Sequence, residues 1–161
     1  MTRSAIYAKS TTVTIEKSRA GIEKAVTQYG GTDFGFGSKH GTSLIWFHMQ
    51  ERHVRFILPM PNPNDDWFKF KIYAGKITTI LRTKVQCAEA YEQAKRQVWR
   101  ALRIVVIAKL EAVEAGISEF ETEFLGNIMV PGTNNTVAEW LRPQLEQSYL
   151  TGTLPPMLPG G

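Results

Sequence analysis

TKVQCAEAYEQAKRQVWRALRIVVIAKLEAVEAG, residues 83–116, is the stretch from which the fold is read. It opens on Thr83-Lys-Val-Gln86, a capping-box pattern in which the first hydroxyl and the fourth side chain satisfy backbone N–H groups that a helix start leaves free. It closes at Gly116, a natural stop because glycine enters the left-handed region without a Cβ clash. The spacing predicts one helix of about 48 Å at about 1.5 Å per residue. At about 100° per residue, Tyr91, Val98, Leu102, Val105, Val106, Leu110 and Val113 share a stripe that requires a sheet or a partner as cover. Ile104 and Ile107 widen the apolar surface, so a second helix or a second subunit is expected there. Arg96, Arg100 and Arg103 lie within about 60° of one another on a different face.

Upstream the period shortens. Ser43–Gln50 and His53–Leu58 alternate and read as a hairpin turning at Glu51-Arg52, stopped by Pro59, Pro61 and Pro63. In that register Gln50 faces His53, His48 faces Arg55 and Trp46 faces Ile57. Thr11–Glu16 suits a short strand, Ser18 a cap for a helix over residues 19–29, and Gly30-Gly31 its end. Phe34-Gly-Phe36 reads as an edge strand and Trp67–Tyr73 as a further one. Downstream, Ser118-Glu-Phe-Glu121 and Thr136-Val-Ala-Glu139 repeat the capping box, with a kink or restart expected at Pro143. The fold class expected is α+β: an antiparallel sheet of four to five strands packed on a long α-helix, followed by two shorter C-terminal helices. Its 161 residues suit a single domain. Within it are a flexible arm at 1–10, a β-rich part with one helix at 11–73, a helical part at 83–152 and a Pro-rich tail at 153–161.

Composition narrows the class further. At 43% apolar and 21% charged residues the chain can build a core. The longest uncharged apolar run, Ile104–Ala108, is far short of the roughly 18 residues of a membrane span. Without an apolar stretch near Met1, and with Cys87 as the single cysteine, the expected setting is the cytoplasm. Charge is divided along the chain: residues 1–109 hold 18 Lys and Arg against 8 acids, residues 110–161 hold Arg142 against seven acids. Such a dipole suits an anionic partner, attraction between protomers, or an acidic tail folding back on the basic part.

Arg96-Gln-Val-Trp-Arg-Ala-Leu102, Lys109-Leu-Glu-Ala-Val-Glu-Ala-Gly116, Glu123-Phe-Leu125, Pro131-Gly132 with Thr136-Val137, and Tyr149 with Thr151-Gly152, Pro155 and Leu158-Pro159 resemble a family of small, mostly uncharacterised phage- and prophage-encoded proteins. Ser18-Arg-Ala20, Ile22-Glu23, Arg55-Phe56 and Leu58-Pro59 extend the resemblance over most of the chain. Gly21 departs from it, standing where a capping-box glutamate after Ser18 is expected. The resemblance implies no activity. It implies a mobile-element setting, in which short proteins bind nucleic acid or interfere with host defence.

The strong chemical motifs are absent: no P-loop, no H-E-x-x-H and no C-x-x-C occurs. Gly35–Gly41 has the glycines and lysine of a phosphate loop, but no helical pattern follows it, and a hairpin loop is the plainer reading. His40, His48 and His53 have no carboxylate placed among them by the pattern, Asp65-Asp66 reads as turn chemistry, and Cys87 as packing. No catalytic residue, metal or cofactor is therefore expected.

Period 2 in the hairpin sets Ile45, Phe47, Met49, Val54, Phe56 and Leu58 on a face for the helix to cover. Trp46, His48, His53 and Arg55 take the opposite face, a set suited to base stacking and phosphate contact. Lys69 and Lys71 can extend a basic edge, and Arg96, Arg100 and Arg103 a second one. The expected partner is thus nucleic acid. Against this stands a reading in which C-terminal helices or a second protomer bury Trp46 while the cations pair with the seven late acids. A different class also remains: a homo-oligomer that binds a host defence protein or a nucleotide signal.

Overall fold

The computed structural model describes residues 10–39 and 41–153, with the Lys39 side chain excepted. His40, the arm at residues 1–9 and residues 154–161 of the Pro-rich tail lie outside the described residues. The order is α1 (Ile15–Gln28), β1 (Thr32–Lys39), β2 (Thr42–Met49), β3 (Arg52–Pro59), α2 (Asp66–Lys69), β4 (Phe70–Tyr73), β5 (Lys76–Leu81), α3 (Lys84–Glu114), α4 (Phe120–Phe124) and α5 (Val137–Thr151). The class is α+β and the long helix is present, but the strands form two antiparallel sheets, β1-β2-β3 and β4-β5, instead of one sheet of four or five.

The divided sheet has a local cause. Asp65 accepts a hydrogen bond from the Trp67 amide at 2.9 Å and opens the helical turn α2, which leaves only Phe70–Tyr73 of the expected Trp67–Tyr73 strand extended. Those four residues pair with β5, which period-2 reading misses because almost all of it is exposed. Phe68 packs edge-on against Tyr91, 5.6 Å between ring centroids, and fixes this unit to α3.

The first helix also begins elsewhere than expected. The Thr14 hydroxyl accepts from the Lys17 amide, so α1 takes up Ile15 and Glu16 and no strand forms over Thr11–Glu16. Ser18, the expected cap, lies inside the helix and is fully buried.

In the β2–β3 hairpin the turn is Gln50-Glu51, one residue earlier than expected. Both residues have positive φ, 47° and 61°, as a two-residue turn matching the strand twist demands. His48 consequently faces His53 and Trp46 faces Arg55. The shift moves every pair by two, so the faces keep their parity, and all six residues assigned to the covered side are buried.

These six form one core with Ile22, Ala25 and Val26 of α1, Trp99, Val106 and Leu110 of α3, and Phe120 and Phe124 of α4. Phe124 presents its ring edge-on to both Phe47 and Phe56, at 6.2 Å each. The α3 stripe is corrected at one member: Val105 is exposed, while Trp99, outside the expected set, is buried. Ile104 is exposed too, so the described chain covers the helix on the Ile107 side alone.

The capping box at Thr83 and Gln86 forms, as does that at Thr136 and Glu139. The one expected at Ser118 does not: α4 starts after Glu119 without a side-chain cap. A 3-10 turn, Leu125–Asn127, follows, and α5 runs through Pro143 as one element without restarting. Met129 bridges to Thr136, and Ile128 bridges to Val54 at the edge of β3, with the Met129 amide donating to the His53 carbonyl at 2.8 Å. This bridge carries the late segment onto the sheet.

Candidate functional site

The sheet face first. Trp46 is half-buried over Gly35, where a Cβ would come within 2.3 Å of the indole. His48 and His53 stack with centroids 4.5 Å apart. A bulge in β1 beside Asp33, φ 52°, sets its carboxylate 3.4 Å from His48 Nδ1. This is a companion carboxylate that alternation cannot reveal, because the bulge breaks the alternation. Burial first, then the neighbouring His48 and Arg55, push His53 below the ordinary imidazole value, and its Nε2 is buried with no hydrogen-bond partner among the described residues. The two imidazoles edge a cavity of about 690 Å³ walled by Arg52, Met129, Pro131 and Trp140.

Arg55 is not free on this face. Its guanidinium donates to Asn134 Oδ1 at 3.1 Å, to the Asn134 carbonyl at 2.9 Å and to Glu139 at 2.8 Å. Its side chain retains 14% exposure. The open four-residue face expected from alternation is therefore closed at the Arg55 end by the start of α5. The Arg55 Nε is buried without a hydrogen-bond partner among the described residues. A guanidinium whose Nη1 and Nη2 are taken by a carboxylate and an Asn side chain and carbonyl, and whose Nε has no exposed surface, has little left for phosphate.

Three further acids of the late segment are also engaged. Glu121 pairs with Arg52 at 2.6 Å and Glu123 with Lys109 at 3.3 Å, while Glu111 accepts from the Tyr29 hydroxyl. Much of the charge division along the chain is thus used internally, on Arg52, Arg55 and Lys109.

The remaining cations gather elsewhere. Residues 69–103 carry nine Lys and Arg against Glu89 and Glu92. Between the β4–β5 ribbon and the first half of α3 runs an open groove of about 740 Å³, lined by Lys71, Arg82, Gln86, Glu89, Gln93 and Arg96. Gln93 accepts from Arg96 Nε at 3.0 Å and from Nη2 at 2.6 Å, setting the guanidinium in place. Among the described residues no carboxylate lies within ion-pair distance of Lys71, Arg82, Arg96 or Arg100. Lys69 pairs with Asp66 at 3.5 Å. Arg103 turns to α1, where a Cβ on Gly21 would meet its Nε at 2.4 Å.

The structure therefore joins Lys71 to Arg96, separates both from the Trp46–Arg55 pair, and removes Arg103 to a helix–helix contact. Arg82, Gln86 and Gln93 escape a sequence reading that stops the strands at Tyr73. The signal was present: Ala74-Gly75 before Lys76-Ile-Thr-Thr-Ile-Leu81 is a turn followed by a β-branched run. Among the described residues no cluster of three or more His, Cys, Asp and Glu can hold a metal ion, and no helix is long and apolar enough to cross a membrane. No protein family, curated protein or solved structure matches the chain.

Proposed function

We propose that the protein is a non-catalytic, phage-type accessory protein that binds nucleic acid in the host cytoplasm through the groove between the β4–β5 ribbon and α3. One observation carries this reading. Glu121, Glu139 and Glu123 are engaged with Arg52, Arg55 and Lys109, whereas Lys71, Arg82 and Arg96, which line the groove, have no carboxylate within ion-pair distance among the described residues and keep their charge for an external anion. Phosphates spaced along a strand are an anion of the right extent for an open groove, and Lys and Arg there release counterions on binding. Gln86 adds a neutral donor, which positions a backbone without reading sequence, while Gln93, whose side-chain nitrogen donates to the Thr11 carbonyl at 3.0 Å, holds Arg96 in place. Tyr73 at the ribbon tip is 80% exposed and offers a ring for stacking.

The contact surface therefore differs from the Trp46, His48, His53 and Arg55 face that alternation favours. A titration of labelled single-stranded and double-stranded oligonucleotides at two salt concentrations tests the reading, on protein whose mass is checked by light scattering. Affinity that falls about tenfold or more with added salt supports it; no binding at low salt contradicts it.

A second reading is a homo-oligomer that counters host defence by binding a host protein or a nucleotide signal. What favours it is α5, whose exposed Leu145 and Tyr149 line one apolar hollow with the exposed Leu125, a patch of the kind that marks interfaces. A monomeric mass at high protein concentration counts against it.

A further inference from the structure

Arg19 of α1 lies between two aromatic rings, its Cζ 4.3 Å from the centroid of Phe36 and 4.4 Å from that of Trp99. The ring of Trp99 is buried in the core, so one side of this clamp is fixed. Among the described residues the Nε, which has no exposed surface, has no hydrogen-bond partner, and no carboxylate lies within ion-pair distance of the guanidinium. Glu16, one turn earlier, feels Arg19 only through space. Rings attract the cation by their faces, but they do not accept its in-plane N–H donors. A partly buried charge left in that state favours an anion.

Beside it is a cavity of about 320 Å³, lined by Arg19, Ser38, Ser43, Tyr91, Lys95 and Trp99 among others. The Ser38 and Ser43 hydroxyls are 2.9 Å apart. They share one hydrogen bond, which leaves one hydroxyl proton for a ligand. Lys95 reaches the cavity from α3, its Nζ 4.9 Å from the Tyr91 centroid and 2.6 Å from Glu92. None of the α3 residues here lines the basic groove.

We propose that this cavity is a binding site for a phosphomonoester, with Arg19 as its principal anchor. A fork of guanidinium donors, an ammonium and a hydroxyl outnumber the two oxygens of a carboxylate and match the three terminal oxygens of a phosphomonoester. The Tyr91 ring and the side chains of Ile15 and Met60 line the same cavity and leave an apolar flank for the esterified group. The phosphate can belong to a small metabolite or to the 5′ end of a nucleic acid strand, since both present the same dianion.

Calorimetric titration with inorganic phosphate, phenyl phosphate, and matched oligonucleotides with and without a 5′ phosphate tests the site. Saturable binding of phenyl phosphate is expected, weakened at least about tenfold in Arg19→Gln, weakened in Lys95→Gln, and unchanged in the groove variant Lys71→Gln. A preference for the 5′-phosphorylated oligonucleotide that disappears in Arg19→Gln assigns the natural ligand to a strand end; phenyl phosphate binding without that preference assigns it to a small molecule. If Arg19→Gln does not fold by circular dichroism, Lys95→Gln and Ser38→Ala decide. Absence of saturable phosphate binding, or equal loss in Lys71→Gln, overturns the proposal. Because the groove uses other residues, salt-dependent strand binding that survives Arg19→Gln keeps the two claims separate.

Discussion

Arg55 on β3 and Glu139 on α5 meet at 2.8 Å, and the Glu139 oxygen that takes this bond also accepts from the Thr136 amide at 2.7 Å. One carboxylate thus closes a helix cap and holds the late segment against the sheet. Burial pushes the Glu139 carboxyl up, but the Thr136 amide and the Arg55 guanidinium outweigh it, and the group lies below the ordinary carboxylate value.

Replacing Glu139 with Gln is therefore expected to cost about 1–3 kcal/mol of stability at neutral pH, because it leaves Arg55 with an incomplete set of partners. The carboxylate's contribution is full above the ordinary carboxylate value and is lost as pH falls through the lowered folded value. Urea midpoints measured from pH 7 to pH 3 should fall less steeply in Glu139→Gln than in the parent. An equal slope in both proteins contradicts the coupling.

Burial, with His48 and Arg55 beside it, lowers the His53 imidazole from its ordinary value. Its NMR titration is expected to have a midpoint below the unperturbed value of about 6.5. A base with a lowered folded value favours folding above the unfolded value and loses that contribution as pH falls toward the folded one. A midpoint above 6.5 excludes the burial described.

The start of α1 gives a paired test. Thr14→Ala removes a cap and is expected to cost about 1 kcal/mol. Ser18→Ala deletes a buried hydroxyl that has no hydrogen-bond partner among the described residues and is expected to be neutral or stabilising. Thermal unfolding that ranks the two variants the other way places the cap at Ser18.

Gly35 has no room for a side chain, with Trp46 Cζ2 2.3 Å from a Cβ position. Gly35→Ala is expected to destabilise by about 1–3 kcal/mol and to change the near-ultraviolet signal of the indole. An unchanged midpoint and spectrum mean that Trp46 does not rest on β1.

What sequence reading could recover follows from which signals are local. Thr83 with Gln86 and Thr136 with Glu139 are self-contained, needing four residues and a backbone, and both boxes form where their pattern stands. The buried face of β2 and β3 survives a misplaced turn because a two-residue shift in pairing preserves parity. The turn at Gln50-Glu51 carries no local signal, because neither residue is the Gly or Asn that normally announces positive φ. Arg55 and Arg103 look alike in a charge count, and only the tertiary fold brings Glu139 to one and Gly21 to the other. The groove depends on the β4–β5 ribbon meeting α3, a relation that no window of sequence contains.

The groove itself is tested most directly by the salt dependence of oligonucleotide binding in the triple variant Lys71→Gln, Arg82→Gln, Arg96→Gln. Fluorescence anisotropy should show weaker binding on every sequence, and a plot of log affinity against log salt whose slope falls by about one for each cation that contacts phosphate. Arg55→Gln, at a residue whose Nη1 and Nη2 already bond Asn134 and Glu139 and whose Nε is buried, should leave that slope unchanged. An unaltered slope in the triple variant contradicts the assignment of the groove as the nucleic-acid surface.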